Sequence, residues 1–397
     1  MSRSVLIVTL PPLTGGVPAK TEILCRHLRS LGHPVTVSHY ATLSDYPELV
    51  VPSWQMLSGK RPAMREGQCF GDFSSVAVGC RFPELEFQYF KPSAFWQELI
   101  ESHDRHIAVG GTTLASYPLM CAGIPHLVWC ASTMIADRVD RRAAMPVARR
   151  LLDRFIVGSV QRAMEKKILS ASTQIMAVSS YTRDTLIKAG GNSENISRVP
   201  IPVDVDRFHL PSTPADTGVI GFAGRPGDPR KNLGLLFGAL KRLLDQGQSV
   251  TLRLTGDEPS ELSPVIRRLG ISDHITWTGW LDDDALPEFY RGLDIFVIPS
   301  LQEGLNIAGV QAMASGVPVV STRSGGPEDY VIDGETGQLV GFDEKDMAMA
   351  IGDIVSSRQR RDEMSAKARA FAVQHYGRQE FADGLAAAWQ QTWGETP

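Results

Sequence analysis

Residues 299–322 read PSLQEGLNIAGVQAMASGVPVVST, and the organisation of the chain can be inferred outward from them. An apolar run ends at the first two of these residues, and a loop that contains Glu303 follows. Apolar residues then recur at helical spacing from about Asn306 to Ala314, and Gly316 precedes a β-branched run that is typical of a strand. Strand, loop, helix and strand form the repeating unit of a parallel sheet, so we expect Glu303 at the carboxyl end of a buried strand.

The same alternation extends through both halves of the chain. In the C-terminal half, helical stretches separate further strand-like runs, which read VIGFAG, TLRLTGDE, HITWTGW, DIFVIPS and TGQLVGF. In the N-terminal half, a strand over Val5–Leu10 leads through Gly15 and Gly16 into a helix and then another strand. Residues 43–95 lack a clean period, so we expect loops and short elements there, and we expect helix throughout 345–393.

A proline-rich segment separates the two halves. Residues 198–217 carry four prolines and no helical period, which is typical of an interdomain linker. The sequence therefore predicts an α/β fold of two facing Rossmann-like, doubly wound domains with a deep interdomain cleft and ligand bound at the carboxyl ends of the strands. The predicted parts are an N-terminal domain over 1–200, a hinge over 201–216, a C-terminal domain over 217–375, and a helix over 376–397 that crosses back to the N-terminal domain.

The composition excludes several classes of protein. The chain has 397 residues, of which 43% are hydrophobic and 21% charged, so it can form large cores and is not a disordered protein. Its 44 Asp and Glu outnumber its 40 Lys and Arg, and this net charge of −4 argues against nucleic acid as a partner. The five cysteines are scattered, which predicts reduced thiols and a cytoplasmic protein.

The sequence leaves contact with a membrane surface open. No apolar stretch approaches the roughly eighteen residues of a membrane span. The N-terminal apolar run is interrupted by prolines and glycines, so we interpret it as a buried strand and not as a signal peptide. Residues 137–155 carry six arginines, which form either a solvated face or a basic surface for a phosphorylated acceptor or for anionic lipid at the inner face of a membrane.

Four stretches of the chain, taken in order, resemble the motifs of a known enzyme family. They are residues 13–37 with the glycine pair, 177–208 before and within the linker, 221–240 with GRPGDPRKN, and 299–322. Together they resemble the retaining nucleotide-sugar glycosyltransferases of family four, also called group 1 glycosyl transferases, over nearly the whole chain and least between 45 and 102. The resemblance implies the GT-B fold, with the sugar donor held by the C-terminal domain and the acceptor by the N-terminal domain.

Several residues of these motifs suit a diphosphate leaving group. Arg225 can fork onto phosphate oxygens, and Lys231 can add a positive charge where negative charge grows. Gly16 lacks a Cβ, so the backbone there can approach phosphate closely. By resemblance, Glu303 accepts hydrogen bonds from the sugar, Gln311 contacts the ribose, and the backbone N–H groups of the intervening loop reach phosphate or sugar from Gly304, Leu305, Asn306 and Ile307. The predicted catalytic residues are Glu303, Arg225 and Lys231.

Two positions depart from the family pattern. The second carboxylate of the family motif falls on Gln311, so the charge-assisted part of a bond to ribose is lost. The histidine that the family often places near the sugar falls close to Cys130 and Ala131. We therefore assign no catalytic histidine, and we interpret His126 as a core or edge-strand residue.

The sequence thus predicts a retaining, metal-independent transfer of a hexose-type sugar from a nucleoside-diphosphate sugar to an acceptor with a free hydroxyl, without a cofactor. Asp204 and Asp206 are only two carboxylates, so we assign no metal site to them. A GT-B epimerase or phosphorylase stays open as an alternative, and Gln311 keeps open a catalytically weak partner subunit that binds nucleotide sugar. A P-loop is disfavoured because the glycines that it needs around Lys20 are missing. The donor base, the sugar, the acceptor and the oligomeric state are not predicted.

Overall fold

The computed structural model describes residues 2–12, 15–143, 145–171, 173–211 and 218–397, without the side chains of 139–143 and 148. Chain contacts divide it into two units: unit 1 comprises Met1–Val199 and Ala382–Pro397, and unit 2 comprises Pro200–Phe381. Residues 212–216 of the predicted hinge lie outside the described residues.

The sheet of unit 1 has eight strands in the order β3-β4-β2-β1-β5-β6-β7-β8. The strands are β1 Val5–Thr9, β2 Val35–Tyr40, β3 Met64–Cys69, β4 Phe73–Val78, β5 Arg105–Gly110, β6 Leu127–Cys130, β7 Gln174–Ala177 and β8 Ile196–Arg198. Neighbouring strands are parallel except for β3 and β4, which form an antiparallel hairpin. Every residue of β1 and β6 is buried, as expected for central strands of a parallel sheet.

The hairpin lies in the region for which the sequence predicted only loops and short elements. Strand β3 runs along the sheet edge and exposes residues 65–68, so it shows no apolar alternation. The turn between the strands uses Phe70 and Gly71, whose φ angles are 50° and 90°. Of the two strands, only β4 carries a buried apolar run. One such run predicts a strand but not the hairpin that it forms with β3.

Helices of unit 1 follow its strands and cover the sheet. They are α1 Gly16–Ser30, α2 Ala94–Glu101, α3 Tyr117–Cys121, α4 Met134–Ala143, α5 Val147–Leu152, α6 Gly158–Ser170 and α7 Ser180–Lys188, with one π-helical turn over Asp153–Val157 between α5 and α6. In α1 the buried residues include Lys20, Leu24 and Leu28 at a spacing of four, which is the inner face of an amphipathic helix. The predicted strand, glycine turn and helix at the N-terminus are therefore confirmed.

The sheet of unit 2 has six strands in the order β11-β10-β9-β12-β13-β14, and all neighbouring pairs are parallel. The strands are β9 Val219–Phe222, β10 Thr251–Leu254, β11 Ile275–Trp277, β12 Ile295–Ile298, β13 Val319–Thr322 and β14 Gly337–Val340. The chain moves outward from β9 to β10 and β11, and then returns to the other side of β9 to form β12. This reversal is the switch point at which doubly wound sheets bind ligands, so the loops after β9 and β12 are the places to look for a site.

Helices α8 to α13 belong to unit 2, and α14 passes from unit 2 into unit 1. They are α8 Leu233–Asp245, α9 Ser263–Leu269, α10 Leu286–Arg291, α11 Ile307–Ala314, α12 Glu344–Val355, α13 Arg358–Tyr376 and α14 Arg378–Trp393. The tail that was predicted as continuous helix is thus broken twice, and Ser357 begins α13 by accepting a bond from the Arg360 N–H. Short 3-10 helices cover Ser53–Gln55, Glu86–Phe90, Thr113–Ser116, Ser193–Asn195, Pro229–Lys231, Ser272–His274 and Gly326–Asp329.

The predicted class of an α/β protein with two Rossmann-like domains is confirmed, since each unit has a mainly or wholly parallel sheet whose strands alternate with helices. Within the described ranges, no helix combines the length and the apolar character that a bilayer crossing requires.

Candidate active site

Glu303 lies on the loop that follows β12, and its backbone is fixed by the loop that follows β13. The Glu303 N–H donates to the Ser324 carbonyl at 2.7 Å, and the Gly326 N–H donates to the Glu303 carbonyl at 3.0 Å. A Cβ at Gly326 would lie 2.4 Å from the Gly304 carbonyl oxygen, so only glycine lets the two loops approach this closely. The position of Glu303 is therefore set by two strand ends and not by one flexible loop.

The Glu303 carboxylate receives three hydrogen bonds on a single oxygen. Lys231 Nζ donates to Oε1 at 2.7 Å, Ser300 Oγ at 2.6 Å and Asn306 Nδ2 at 2.9 Å. Among the described residues none donates to Oε2. The side chains of Lys231 and Glu303 are 18% and 13% exposed, so this ion pair is largely shielded from water. One oxygen thus fixes the carboxylate, and the other is available to a ligand.

Helix α11 starts directly beside this carboxylate, as the sequence predicted. Asn306 is its N-cap with φ of 65°, and Asn306 Oδ1 accepts a bond from the Gly309 N–H at 3.1 Å. Asn306 therefore caps the helix with one side-chain atom and orients Glu303 with the other. Tyr330 Oη donates to the Asn306 carbonyl at 3.1 Å and so helps to hold the left-handed backbone conformation of Asn306. Leu305 is buried, and the predicted contact of its N–H with phosphate or sugar stays a prediction.

The loop after β9 carries the predicted cations. Lys231 reaches Glu303, as described, while Arg225 lies exposed on the same loop. Arg230 forms an ion pair with Asp228 at 2.6 Å, and this pair lowers the pKa of Asp228 although burial opposes the shift. The Leu301 N–H donates to the Arg230 carbonyl at 2.8 Å, which joins the loops after β9 and β12. The structure thus brings Lys231 and Glu303 into contact across the switch point.

Asn232 stands directly before a helical stretch, so the sequence predicts that its side chain caps α8, and this prediction is wrong. Asn232 has φ of 49° and makes no capping bond through its side chain. Its Nδ2 donates instead to the Pro299 carbonyl at 3.2 Å. Asn232 therefore ties the loop after β9 to the end of β12, beside Glu303.

Gln311 lies on α11 and is engaged by a tyrosine that the sequence reasoning missed. Tyr290 Oη donates to Gln311 Oε1 at 3.0 Å. Tyr290 is fully buried, and burial raises its pKa well above the usual value, so it stays a hydroxyl donor. The amide oxygen of Gln311 is thus already shared with Tyr290, and its Nε2 remains as a donor. The predicted ribose contact stays a prediction.

Gly16 begins α1 in unit 1, after Gly15, whose φ is 128°. Both glycines are exposed, and a Cβ at Gly16 would meet no atom of the described residues within 4 Å. The backbone at Gly16 is therefore open to a ligand on the side where a Cβ would point. Its predicted contact with a diphosphate stays a prediction.

Lys20 is a buried lysine that the sequence reasoning considered only as a P-loop residue. Lys20 Nζ donates to the Gly110 carbonyl at 2.8 Å and to the Trp129 carbonyl at 3.0 Å. Burial lowers the pKa of Lys20 to about 8. The side chain is 1% exposed and joins α1 to the ends of β5 and β6, so it cannot act as a phosphate-binding lysine. Its spacing of four from Leu24 was the signal that it faces the core.

The remaining candidates have structural roles. His126 is buried, its Nδ1 lies 2.8 Å from the Ile124 carbonyl, and burial lowers its pKa, so its interpretation as a core histidine is confirmed. Asp204 Oδ2 accepts a bond from Arg378 at 2.6 Å, and Asp204 Oδ1 accepts one from the Asp206 N–H at 3.3 Å. Within the described part of the chain, no three His, Cys, Asp or Glu side chains converge as metal ligands would.

Two Rossmann-like units, with a charged site on the loops after β9 and β12 of the second unit, are typical of proteins of the GT-B class. Solved structures agree with this at the level of the fold. Sucrose-phosphate synthase from Thermosynechococcus elongatus superposes with a TM-score of 0.77 at 17% identity, covering 99% of both chains. The Anabaena protein Alr3699/HepE in complex with UDP and glucose superposes with a TM-score of 0.68 at 18% identity, covering 98% of this chain and 100% of the other.

Sequence comparison gives the family. The model of the family described as glycosyl transferases group 1 matches residues 217–357. A GDP-mannose-dependent alpha-(1-6)-phosphatidylinositol monomannoside mannosyltransferase of Mycolicibacterium smegmatis is 30% identical over 263 residues, which is 58% of this chain and 69% of that protein. The matches to two other curated relatives span about half of their length. This chain belongs to the group 1 glycosyltransferases.

Proposed function

We propose that the protein transfers a hexose from a nucleoside-diphosphate sugar to an acceptor hydroxyl, with retention at the anomeric carbon and without a metal ion. The observation that carries this proposal is the Glu303 carboxylate, which Lys231, Ser300 and Asn306 hold through one oxygen at the start of α11. Oε2 then accepts hydrogen bonds from the sugar hydroxyls of the donor. The negative charge of Glu303 also favours the positive charge that develops on the sugar ring.

The leaving diphosphate would be stabilised by groups of unit 2. As the bond from the anomeric carbon to the phosphate oxygen breaks, negative charge grows on that oxygen. Lys231 and Arg225 supply positive charge on the loop after β9, and the N-terminus of α11 supplies N–H groups and a favourable dipole. Because these groups can meet the developing charge, the reaction needs no divalent cation in this proposal.

Retention would follow if the acceptor attacks from the face that the diphosphate leaves. The acceptor oxygen bonds to the anomeric carbon, and the departing phosphate oxygen takes the proton of the acceptor hydroxyl, so no protein base is required. Glu303 is not the nucleophile in this scheme, because the acceptor oxygen itself attacks the anomeric carbon, and Glu303, fixed through Oε1, holds the sugar through Oε2.

Two related proteins bear on the donor. The mycobacterial relative is GDP-mannose-dependent, and the Anabaena structure contains UDP and glucose. GDP-mannose on the one hand, and UDP with glucose on the other, are both consistent with a nucleoside-diphosphate hexose as the donor of this protein. At Gln311, nucleotide binding by this chain would differ from that of relatives with the family motif, since an amide replaces the carboxylate that the motif offers to ribose.

The test is turnover of a panel of nucleoside-diphosphate hexoses with and without simple sugar and inositol acceptors, in the presence of a chelator. We expect acceptor-dependent release of nucleoside diphosphate, a product whose anomeric configuration by NMR matches the donor, and loss of turnover in Glu303→Gln. Conversion of the donor without an acceptor would indicate an epimerase, and release that requires phosphate would indicate a phosphorylase. Binding of the donor without any turnover would support the partner subunit, and an inverted product would contradict the proposal.

A further inference from the structure

Unit 1 exposes large apolar side chains in two places. The 3-10 turn at 53–57 presents Trp54, 68% exposed, and Leu57, 93% exposed. The helical segment that begins with α5 presents Val147, Leu151 and Phe155, which are 70%, 52% and 67% exposed. Among the described large apolar side chains that are exposed in unit 1, all but one lie in residues 53–57 or 135–156. Such a concentration, unlike single exposed residues, marks an interaction surface.

The apolar side chains of the second place form one stripe. Val147, Leu151 and Phe155 recur every four residues along α5 and the π-helical turn, so they lie on one side of the helix. Leu152 on the same segment packs against the core of unit 1, and Val157 is fully buried. The stripe therefore faces away from the core and is not a side of the helix that the fold has covered.

The two places adjoin a single segment of the chain. Glu84 Oε1 accepts a bond from the Ser53 N–H at 2.7 Å, and the Glu84 carbonyl accepts one from Arg149 Nη1 at 3.1 Å. Arg149 also forms an ion pair with Glu86 at 2.8 Å. Residues 84–86 therefore hold the 53–57 turn and α5 side by side on the same flank of unit 1.

Positive charge surrounds this flank. Arg61 is exposed just after the turn, and Arg150 and Arg154 are exposed beside the stripe. Residues 146–167 carry six Lys and Arg against two acidic residues. Both of these acids, Asp153 and Glu165, are buried. Glu84 and Glu86 on the same flank are half-buried, and Glu86 is paired with Arg138 and Arg149, so Arg61, Arg150 and Arg154 give the outward surface a basic character although the whole chain carries a net charge of −4.

We propose that unit 1 docks on an anionic membrane surface through this docking face, defined as Trp54, Met56, Leu57, Val147, Leu151, Phe155, Arg61, Arg150 and Arg154. Apolar side chains that protrude among arginines match the boundary between headgroups and acyl chains, where the rings and branched chains enter and the guanidinium groups meet lipid phosphate. Leu57 and Trp54 are largely exposed on a turn, which suits insertion into a fluid surface. This inference does not depend on the proposed sugar transfer.

The test is co-sedimentation of the full chain with vesicles of equal parts phosphatidylglycerol and phosphatidylcholine, compared with phosphatidylcholine alone. We expect binding to the anionic vesicles only, and weaker binding as salt is raised. The double substitution Arg150→Ala/Arg154→Ala should weaken binding roughly 30-fold, since each basic residue near such a surface contributes about 1 kcal/mol. Leu151→Ser/Phe155→Ser and, separately, Trp54→Ser/Leu57→Ser should each weaken it at least about tenfold.

Matched controls exist on unit 2. Phe342 and Met349 are 53% and 55% exposed there, and Phe342→Ser/Met349→Ser should bind vesicles as the unmodified protein does. Melting temperatures of all variants should be unchanged, because the substituted side chains are exposed. The proposal would be overturned by absent binding to anionic vesicles, or by equal binding of the docking-face variants and the control. A dimer in solution that the Leu151→Ser/Phe155→Ser change converts to monomer would also overturn it, because the face would then join two copies of the chain.

Discussion

Replacing Lys231 by methionine removes the one cation that contacts Glu303 among the residues that the structure describes. Lys231 Nζ lies 2.7 Å from Glu303 Oε1 in a largely buried pair, and the same ammonium group would face the departing phosphate. Loss of a single preorganised electrostatic group of this kind costs about 2.7–4 kcal/mol in the transition state, so we expect kcat to fall about 10²–10³-fold. Glu303 keeps the bonds from Ser300 and Asn306, so stability should fall by only about 1–2 kcal/mol.

The assay is initial-rate sugar transfer together with thermal unfolding of the same preparation. Arg230→Met is the matched control, because Arg230 is a cation on the same loop whose guanidinium is bound by Asp228 at 2.6 Å. Its kcat should stay within about threefold of the unmodified protein. The reasoning would be refuted if Lys231→Met retained nearly full activity, or if both variants lost activity equally.

Substitutions at Arg225, Gln311 and Lys20 test three further features of the structure. Arg225→Ala should lose about 2–4 kcal/mol of transition-state stabilisation, measured as kcat/KM, and an unchanged rate would remove Arg225 from the mechanism. Gln311→Glu should tighten nucleotide binding, measured by calorimetry, about fivefold. One carboxylate oxygen can still accept the bond from the Tyr290 hydroxyl, while the other offers a charged acceptor to the ribose. Collapse of binding would mean that Gln311 does not contact ribose. The pKa of Lys20 is lowered from 10.5 to about 8 in the folded protein. Between pH 8 and pH 10.5, Lys20 is therefore protonated in the unfolded chain and largely deprotonated in the folded one, so its contribution to the free energy of unfolding rises with pH in this range. Urea unfolding at several pH values should show this rise, at most about 3 kcal/mol, in the unmodified protein and not in Lys20→Met; equal pH profiles would contradict it.

The fold was predictable because its central strands are continuous apolar runs and its turns carry glycine. Strands such as β12 and β13 are buried on both faces. A strand buried in this way needs apolar residues at successive positions, and such a run can be recognised in the sequence. The β3–β4 hairpin escaped recognition because an exposed edge strand needs no such pattern. The antiparallel pairing depends on tertiary position and not on the local sequence.

The site was only partly predictable for a similar reason. Glu303 and Lys231 belong to recognisable motifs, but their contact joins residues 72 positions apart and arises from the sheet order. Ser300, which bonds the same carboxylate oxygen, carries no signal beyond its place at a strand end. Tyr290 is an ordinary apolar position of α10 in the sequence, and the bond from its hydroxyl to Gln311 connects it with the site.

Calorimetric titration with UDP, GDP and ADP measures most directly whether the loops after β9 and β12 bind a diphosphate. We expect at least one of these nucleotides to bind the unmodified protein, with affinity reduced about tenfold or more in Lys231→Met and unchanged in Arg230→Met. Absence of binding by all three nucleotides, or binding that is indifferent to Lys231, would contradict the assignment of this site.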